Sequence, residues 1–160
     1  MFILISILLF GFSSPQWNPS GNEKISLGDY TLEISISSSY HIETIAEEEG
    51  PIIIFHFPAK MNLIFVGSPL IELEYDSITP ERRITINNVS FYKGRVDDYV
   101  CEKYSIFQTR IYLVYKEDIR PELFISSIQV YNEKDETPLL VRMSNEYRDQ
   151  QIITSIAKTD

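Results

Sequence analysis

YTLEISI, residues 30–36, alternates apolar side chains with polar ones. A period of two residues predicts a β-strand with one buried face and one wet face. Two later stretches, IIIFHF at 52–57 and TRIYLVY at 109–115, are apolar on both faces. Such strands are typical of a sheet that is covered on both sides. The sequence therefore predicts a β-rich domain whose central strands are covered on both faces.

Further strand patterns recur between turns, at 62–66, 71–76, 84–86, 89–92, 124–131 and 138–143. Residues 37–50 break the pattern, which predicts a short helix or a loop there. The tail, about Asn145 to Ala157, has helical periodicity. We therefore predict an α+β domain: a predominantly antiparallel sheet, one or two short helices, and a C-terminal helix packed on the sheet. An all-β barrel or sandwich is the alternative.

The N-terminal residues predict export. Phe2 to Phe10 reads FILISILLF and is followed by small residues, as in a secretory signal peptide. We assign residues 1–14 to the signal peptide, 15–24 to an extended leader, and 25–160 to a single β-rich domain. No basic residue precedes the apolar run, so a buried strand or a retained membrane anchor stays an alternative. The expected location is secreted or periplasmic.

Charge and cysteine content exclude several classes of protein. The formal net charge is −9, which opposes binding to nucleic acid or to an anionic membrane surface. It favours a partner with a basic surface. Cys101 is the single cysteine, so the chain cannot form an intrachain disulfide. Its flanking residues predict a buried small hydrophobe, and a reactive thiol is the alternative.

Motifs for catalysis or cofactor binding are missing from the sequence. No glycine-rich phosphate loop, G-x-S-x-G elbow or H-E-x-x-H helix is present. We interpret His56 as a core residue and His41 as an exposed residue of a serine-rich loop, with a catalytic base as the alternative for either. We therefore predict a protein that is not an enzyme and has no cofactor or metal. Asn88 begins an N-glycosylation sequon, which matters in a eukaryotic source.

Acidic and tyrosine side chains are the candidate binding residues. Glu72, Glu74 and Asp76 would project from one face of a strand, about 7 Å apart at successive positions. This pattern predicts either a solvated face or a docking surface for a basic partner, and a calcium site is a third possibility. A second acidic patch combines aspartates with tyrosine, a residue enriched at binding hot spots. The candidate partner-binding residues are Glu72, Glu74, Asp76, Tyr92, Asp97, Asp98 and Tyr99.

The order of elements resembles the PsbP-like fold of small exported proteins. The similar features are the early strand 30–36, a meander of strands, and the end QIITSI at 151–156. The resemblance implies a non-catalytic binding or assembly role, and some bacterial immunity proteins share this architecture. No functional residue is carried over, because none matches position by position.

We therefore expect an exported, non-enzymatic protein-binding domain. Its most concrete form is a periplasmic inhibitor or immunity-type protein that neutralises a basic partner. The alternatives are a carrier of a small apolar ligand with a β-barrel or cupped sheet, and an envelope assembly factor. The oligomeric state and the partner's identity stay open.

Overall fold

The computed structural model describes residues 15–27, 30–86, 89–106, 108–132 and 135–143. Eleven β-strands form within these ranges. In chain order they are β1 Gly21–Leu27, β2 Tyr30–Ile36, β3 His41–Glu47, β4 Gly50–Phe57, β5 Met61–Val66, β6 Pro80–Ile86, β7 Val89–Val96, β8 Tyr99–Ile106, β9 Thr109–Lys116, β10 Ile125–Asn132 and β11 Asp135–Met143.

The strands form two antiparallel sheets. The smaller sheet has four strands in the order β1-β2-β10-β11. The larger sheet has seven strands in the order β3-β4-β5-β9-β8-β7-β6. The chain passes between the sheets at residues 37–40 and at 117–124. These two connections touch, because the Ser37 N–H donates a hydrogen bond of 2.8 Å to the Phe124 carbonyl.

One hydrophobic core lies between the sheets, so the described residues form a β-sandwich. The smaller sheet contributes the buried face of β2, the alternating stretch at 30–36. The larger sheet contributes aromatic side chains from β4, β5, β7, β8 and β9, namely Phe55, Phe57, Phe65, Phe91, Tyr104 and Tyr115. The apolar runs at 52–57 and 109–115 form β4 and β9, and both have buried residues on each face.

The α+β class that the sequence predicts is wrong. The helices among the described residues are 3-10 turns of three or four residues, Pro58–Lys60, Glu74–Ser77 and Pro121–Leu123. None of them could cross a membrane. The predicted C-terminal helix at 145–157, like the signal peptide at 1–14, lies outside the described residues. The described residues instead form a sandwich of two sheets, which is one form of the all-β alternative.

Two local predictions are also wrong. The stretch predicted as a short helix or loop contains β3, an edge strand of the larger sheet. Both faces of β3 carry exposed residues, so it lacks the alternation that marked its neighbours. The strand predicted at 71–76 does not form. The chain runs irregularly there into the turn Glu74–Ser77.

Residues 21–24 of the predicted leader belong to β1 and pair with β2.

Candidate functional site

An irregular segment crosses the outer face of the larger sheet, the face that points away from the smaller sheet. We call residues 67–79, between β5 and β6, the crossing segment. Ile71 is buried, and Leu73, Tyr75 and Ile78 pack beside it on a second hydrophobic cluster. The sheet supplies the other buried members of that cluster, Ile52, Ile64, Val66, Cys101, Tyr112 and Val114. Burial of the alternate apolar residues therefore fixes this segment on the sheet, although it has no strand partner there.

Asp76 anchors the crossing segment to the sheet. Its carboxylate accepts hydrogen bonds from Arg110 Nη1 at 2.7 Å, from Lys103 Nζ at 2.5 Å and from the Tyr112 hydroxyl at 2.7 Å. It also accepts one from the Leu73 N–H at 2.8 Å. About four-fifths of the Asp76 side chain is buried. Charge-assisted hydrogen bonds in such a site are stronger than those between neutral groups.

The pKa of Asp76 records this environment. Burial acts to raise the pKa, but the hydrogen bonds from Lys103, the Leu73 N–H and Tyr112, together with the charge of Lys103, lower it to about 2. Burial and the bond to Asp76 raise the pKa of Tyr112 well above its usual range. Asp76 is therefore ionised at neutral pH, and Tyr112 stays protonated as its donor.

Arg110 extends the anchor to the backbone of the crossing segment. Its Nη2 donates to the Ser68 carbonyl at 2.9 Å and also to the Ile71 carbonyl. These bonds satisfy carbonyl groups that no strand pairs. The acidic residues predicted to share one strand face are therefore separated, because Asp76 turns toward the sheet while Glu72 and Glu74 stay exposed.

A cleft of about 380 Å³ lies between the crossing segment and the hairpin of β7 and β8. Three predicted residues line it: Glu74 from the crossing segment, and Asp97 and Tyr99 from the hairpin. Asn62 and Lys60 also line it. We call this the acidic cleft. It joins residues that lie more than twenty positions apart in the chain.

A second cleft of about 230 Å³ lies on the other side of Tyr75. Asp76, Tyr92, Lys103 and Cys101 line it. The Lys103 ammonium lies 5.8 Å from the centre of the Tyr92 ring. The remaining candidates, Glu72 and Asp98, are exposed and line neither of these two clefts.

Cys101 is 2% exposed, as the buried interpretation predicts. Burial, followed by the nearby charge of Glu102, raises the pKa of its thiol to about 12. A thiol that stays protonated is a poor nucleophile, which opposes the reactive alternative. Asn88 lies outside the described residues.

β3 and β4 carry a histidine pair that the sequence pattern did not predict. His41 on β3 lies opposite His56 on β4, and their rings stack with centroids 4.5 Å apart. His56 contacts Glu43 through Nε2 at 2.8 Å and Asn62 through Nδ1 at 3.0 Å. The rings of Trp17 and His41 meet edge to face, with centroids 4.9 Å apart. Once Glu48-Glu49 is recognised as a hairpin turn, the spacing of the two histidines from that turn identifies the pair.

In the part of the chain that the structure describes, no nucleophile is hydrogen-bonded to the histidine pair. A histidine bonded to a carboxylate can act as a general base when it reaches a hydroxyl or thiol. Among the described side chains, no serine or cysteine contacts either ring. Burial lowers the pKa of His41, and the nearby His56 lowers it further, whereas Glu43 acts in the opposite direction. The described part of the chain also has no group of three acidic, histidine or cysteine side chains that could hold a metal ion. A calcium site stays a prediction.

Glu102 points into the core between the two sheets. It is fully buried and accepts hydrogen bonds from the Tyr104 hydroxyl at 2.7 Å and the Tyr115 hydroxyl at 2.6 Å. Buried polar groups of this kind need hydrogen bonds to offset their loss of water. Glu102 lies on the inner face of β8, the face opposite to Cys101 and the second cleft, which indicates a role in the core.

No family model, curated protein or solved structure matches this chain. The resemblance to the PsbP-like fold therefore stays a prediction.

Proposed function

We propose that this chain is an exported, non-enzymatic protein-binding domain. In its most concrete form it is a periplasmic inhibitor or immunity-type protein that neutralises a basic partner. The acidic cleft supports this proposal, because it combines two exposed carboxylates, Glu74 and Asp97, with the half-buried ring of Tyr99. An envelope assembly factor would use the same surface and differ in its partner.

Charge and shape favour a basic side chain as the group that enters the cleft. Glu74 and Asp97 belong to different elements and outnumber Lys60 in the lining of the cleft, so an incoming lysine or arginine would meet more negative than positive charge there. Tyr99 offers an aromatic surface for the apolar part of such a side chain. The net charge of −9 would also speed encounter with a basic protein, and salt would weaken that effect.

Capture from the native host tests the cleft. The tagged protein is incubated with host extract at low and at high salt, and the bound proteins are identified. We expect a basic partner that is retained at low salt and lost by Glu74→Lys and, more weakly, by Asp97→Asn. Glu33→Lys makes the same charge change on the smaller sheet and should retain the partner. The inhibitory form further requires that the captured protein lose its activity when the chain is added.

A partner that Glu74→Lys and Glu33→Lys retain equally would remove the cleft from the proposal. The absence of any partner at low salt would count against protein binding as a whole. Export is tested separately, by determining the N-terminal residue of the protein purified from its host. A first residue close to Pro15 supports cleavage, and an intact Met1 contradicts it.

A further inference from the structure

Among the described strands, β3 lies at an edge of the larger sheet, with no strand partner on its second side. It is the first strand of the larger sheet and pairs with β4 on one side. We call the opposite side the β3 edge. The pairing with β4 is regular from His41 to Glu47, with no bulge. β3 contains neither lysine nor proline, which are common means of blocking an edge.

The register shows which backbone groups point toward the β3 edge. Ala46 lies opposite Pro51, which has no N–H to donate to β3. Tyr40, six positions earlier on the same alternation, has both its N–H and its carbonyl on the open side. In an antiparallel pair these orientations repeat every second residue. The N–H and carbonyl groups of Ile42, Thr44 and Ala46 therefore face the β3 edge.

The N-terminal segment of the chain already pairs with this side of the sheet at one position. Asn18 and Tyr40 exchange two backbone hydrogen bonds, of 2.6 Å from the Asn18 N–H and 3.1 Å from the Tyr40 N–H. Within the described ranges, no further backbone hydrogen bond between separate segments reaches Ile42, Thr44 or Ala46. The β3 edge thus accepts an extended segment at one end and offers the same groups along the rest of its length.

The side chains around the β3 edge are exposed and acidic. Ile42, Thr44 and Ala46 lie on the inner face yet stay exposed, and Ile42 is 39% exposed. The exposed carboxylates are Glu43, Glu47, Glu48 and Glu49. The sequence has no lysine or arginine between Lys24 and Lys60. A partner segment that pairs here would therefore bind more tightly if it is positively charged.

We propose that the β3 edge binds an extended, lysine- or arginine-rich segment of a partner protein by β-strand addition. Backbone hydrogen bonds to Ile42, Thr44 and Ala46 supply the pairing, and the neighbouring glutamates select a basic sequence. This surface is separate from the acidic cleft, so it goes beyond the proposed function and can be tested independently of it.

Amide hydrogen exchange of the full chain tests the proposal. The probe is an eight-residue peptide of alternating lysine and valine, and the control peptide has the same sequence with N-methyl groups on the pairing side. We expect the lysine–valine peptide to slow exchange at Ile42, Thr44 and Ala46 by about tenfold or more. The amides of Glu43 and Ile45, which already face β4, should change little. The N-methylated peptide should protect none of them.

Thr44→Pro removes one outward N–H without breaking a bond to β4, and Thr44→Val keeps that N–H. We expect Thr44→Pro to abolish peptide binding, while Thr44→Val and Glu74→Lys retain it. If Thr44→Pro does not fold, the difference in amide protection between the lysine–valine peptide and its N-methylated form tests the proposal. Equal protection by both peptides, protection at a different strand, or protection of these amides before any peptide is added would overturn the proposal. The last result would mean that a second copy or another part of this chain already covers the edge.

Discussion

At the scale of single residues, packing changes the acid–base chemistry of His41. The ring lies between Trp17 and the stacked ring of His56, and its Nδ1 is buried without a hydrogen-bond partner in the described part of the chain. Burial and the neighbouring His56 therefore lower the pKa of His41 from its usual value near 6.5. The folded protein binds a proton at this site less readily than the unfolded chain does.

The pKa shift of His41 predicts a loss of stability in mild acid. The unfolded chain takes up the proton first, so the contribution of His41 is complete above about pH 6.5 and decreases as the pH falls through that value. His41→Phe keeps an aromatic ring against Trp17 but cannot titrate. We expect a smaller decrease in the urea midpoint between pH 7.5 and pH 5.5 for His41→Phe than for the wild type. Trp17, the single tryptophan, provides the fluorescence signal. Equal decreases in the two proteins would contradict the prediction.

At the scale of elements, Asp76 should determine whether the crossing segment stays on the sheet. Asp76→Asn leaves the largely buried cationic side chains of Lys103 and Arg110 without their carboxylate. We expect a loss of about 3 kcal/mol in the free energy of unfolding, measured by urea titration at pH 7. Asp98→Asn, at an exposed turn, should change it by less than about 0.5 kcal/mol.

The lowered pKa of Asp76 predicts part of the loss of stability at low pH. The folded pKa of Asp76 is about 2, below its ordinary value of 3.8. The stability that Asp76 contributes is therefore present above about pH 4 and is lost as the pH falls toward 2. The stability of Asp76→Asn should fall less steeply over that interval than that of the wild type. Parallel pH profiles would show that the ion pairs contribute nothing.

Gly94 on β7 provides a second test of the crossing segment. A Cβ atom at this position would lie 2.8 Å from the Thr79 carbonyl oxygen and would also overlap the side chain of Ile78. We expect Gly94→Ala to destabilise the protein by about 1–3 kcal/mol, because the segment must move off the sheet. Gly21→Ala is the matched control, since no atom lies within 4 Å of its added Cβ. A similar change in the urea midpoint for both variants would contradict the close approach.

The elements differ in how far the sequence could predict them. β4 and β9 are covered on both faces, so burial leaves apolar runs that identify them. β3 is exposed on both faces, so its residues carry no such pattern. The alternation at 71–76 correctly indicates burial of Ile71 between polar residues, but alternation records burial and does not show whether a strand partner exists. The acidic cleft depends on where the crossing segment lies, which no spacing in the sequence specifies.

At the scale of the whole molecule, the larger sheet is covered by two different layers. The smaller sheet covers its inner face with strands, whereas the crossing segment covers its outer face without strand pairing. Segments with few backbone bonds to their surroundings open at lower free energy than paired strands. Cys101 lies under this outer layer, beside Tyr75 and Ile78. Its thiol therefore reports whether the outer layer opens separately from the sandwich.

Thiol labelling of Cys101 distinguishes local from global opening. We expect labelling of the native protein to be slow, and its rate to rise only weakly with urea at low concentration, because lifting the crossing segment exposes little surface. Asp76→Asn should accelerate native labelling by about a hundredfold, the factor that corresponds to about 3 kcal/mol, while the weak urea dependence is kept. The unfolded chain should react rapidly in both proteins. If the rate instead follows urea as steeply as global unfolding does, the crossing segment and the sandwich open as one cooperative unit, and the acidic cleft is then as rigid as the core beneath it.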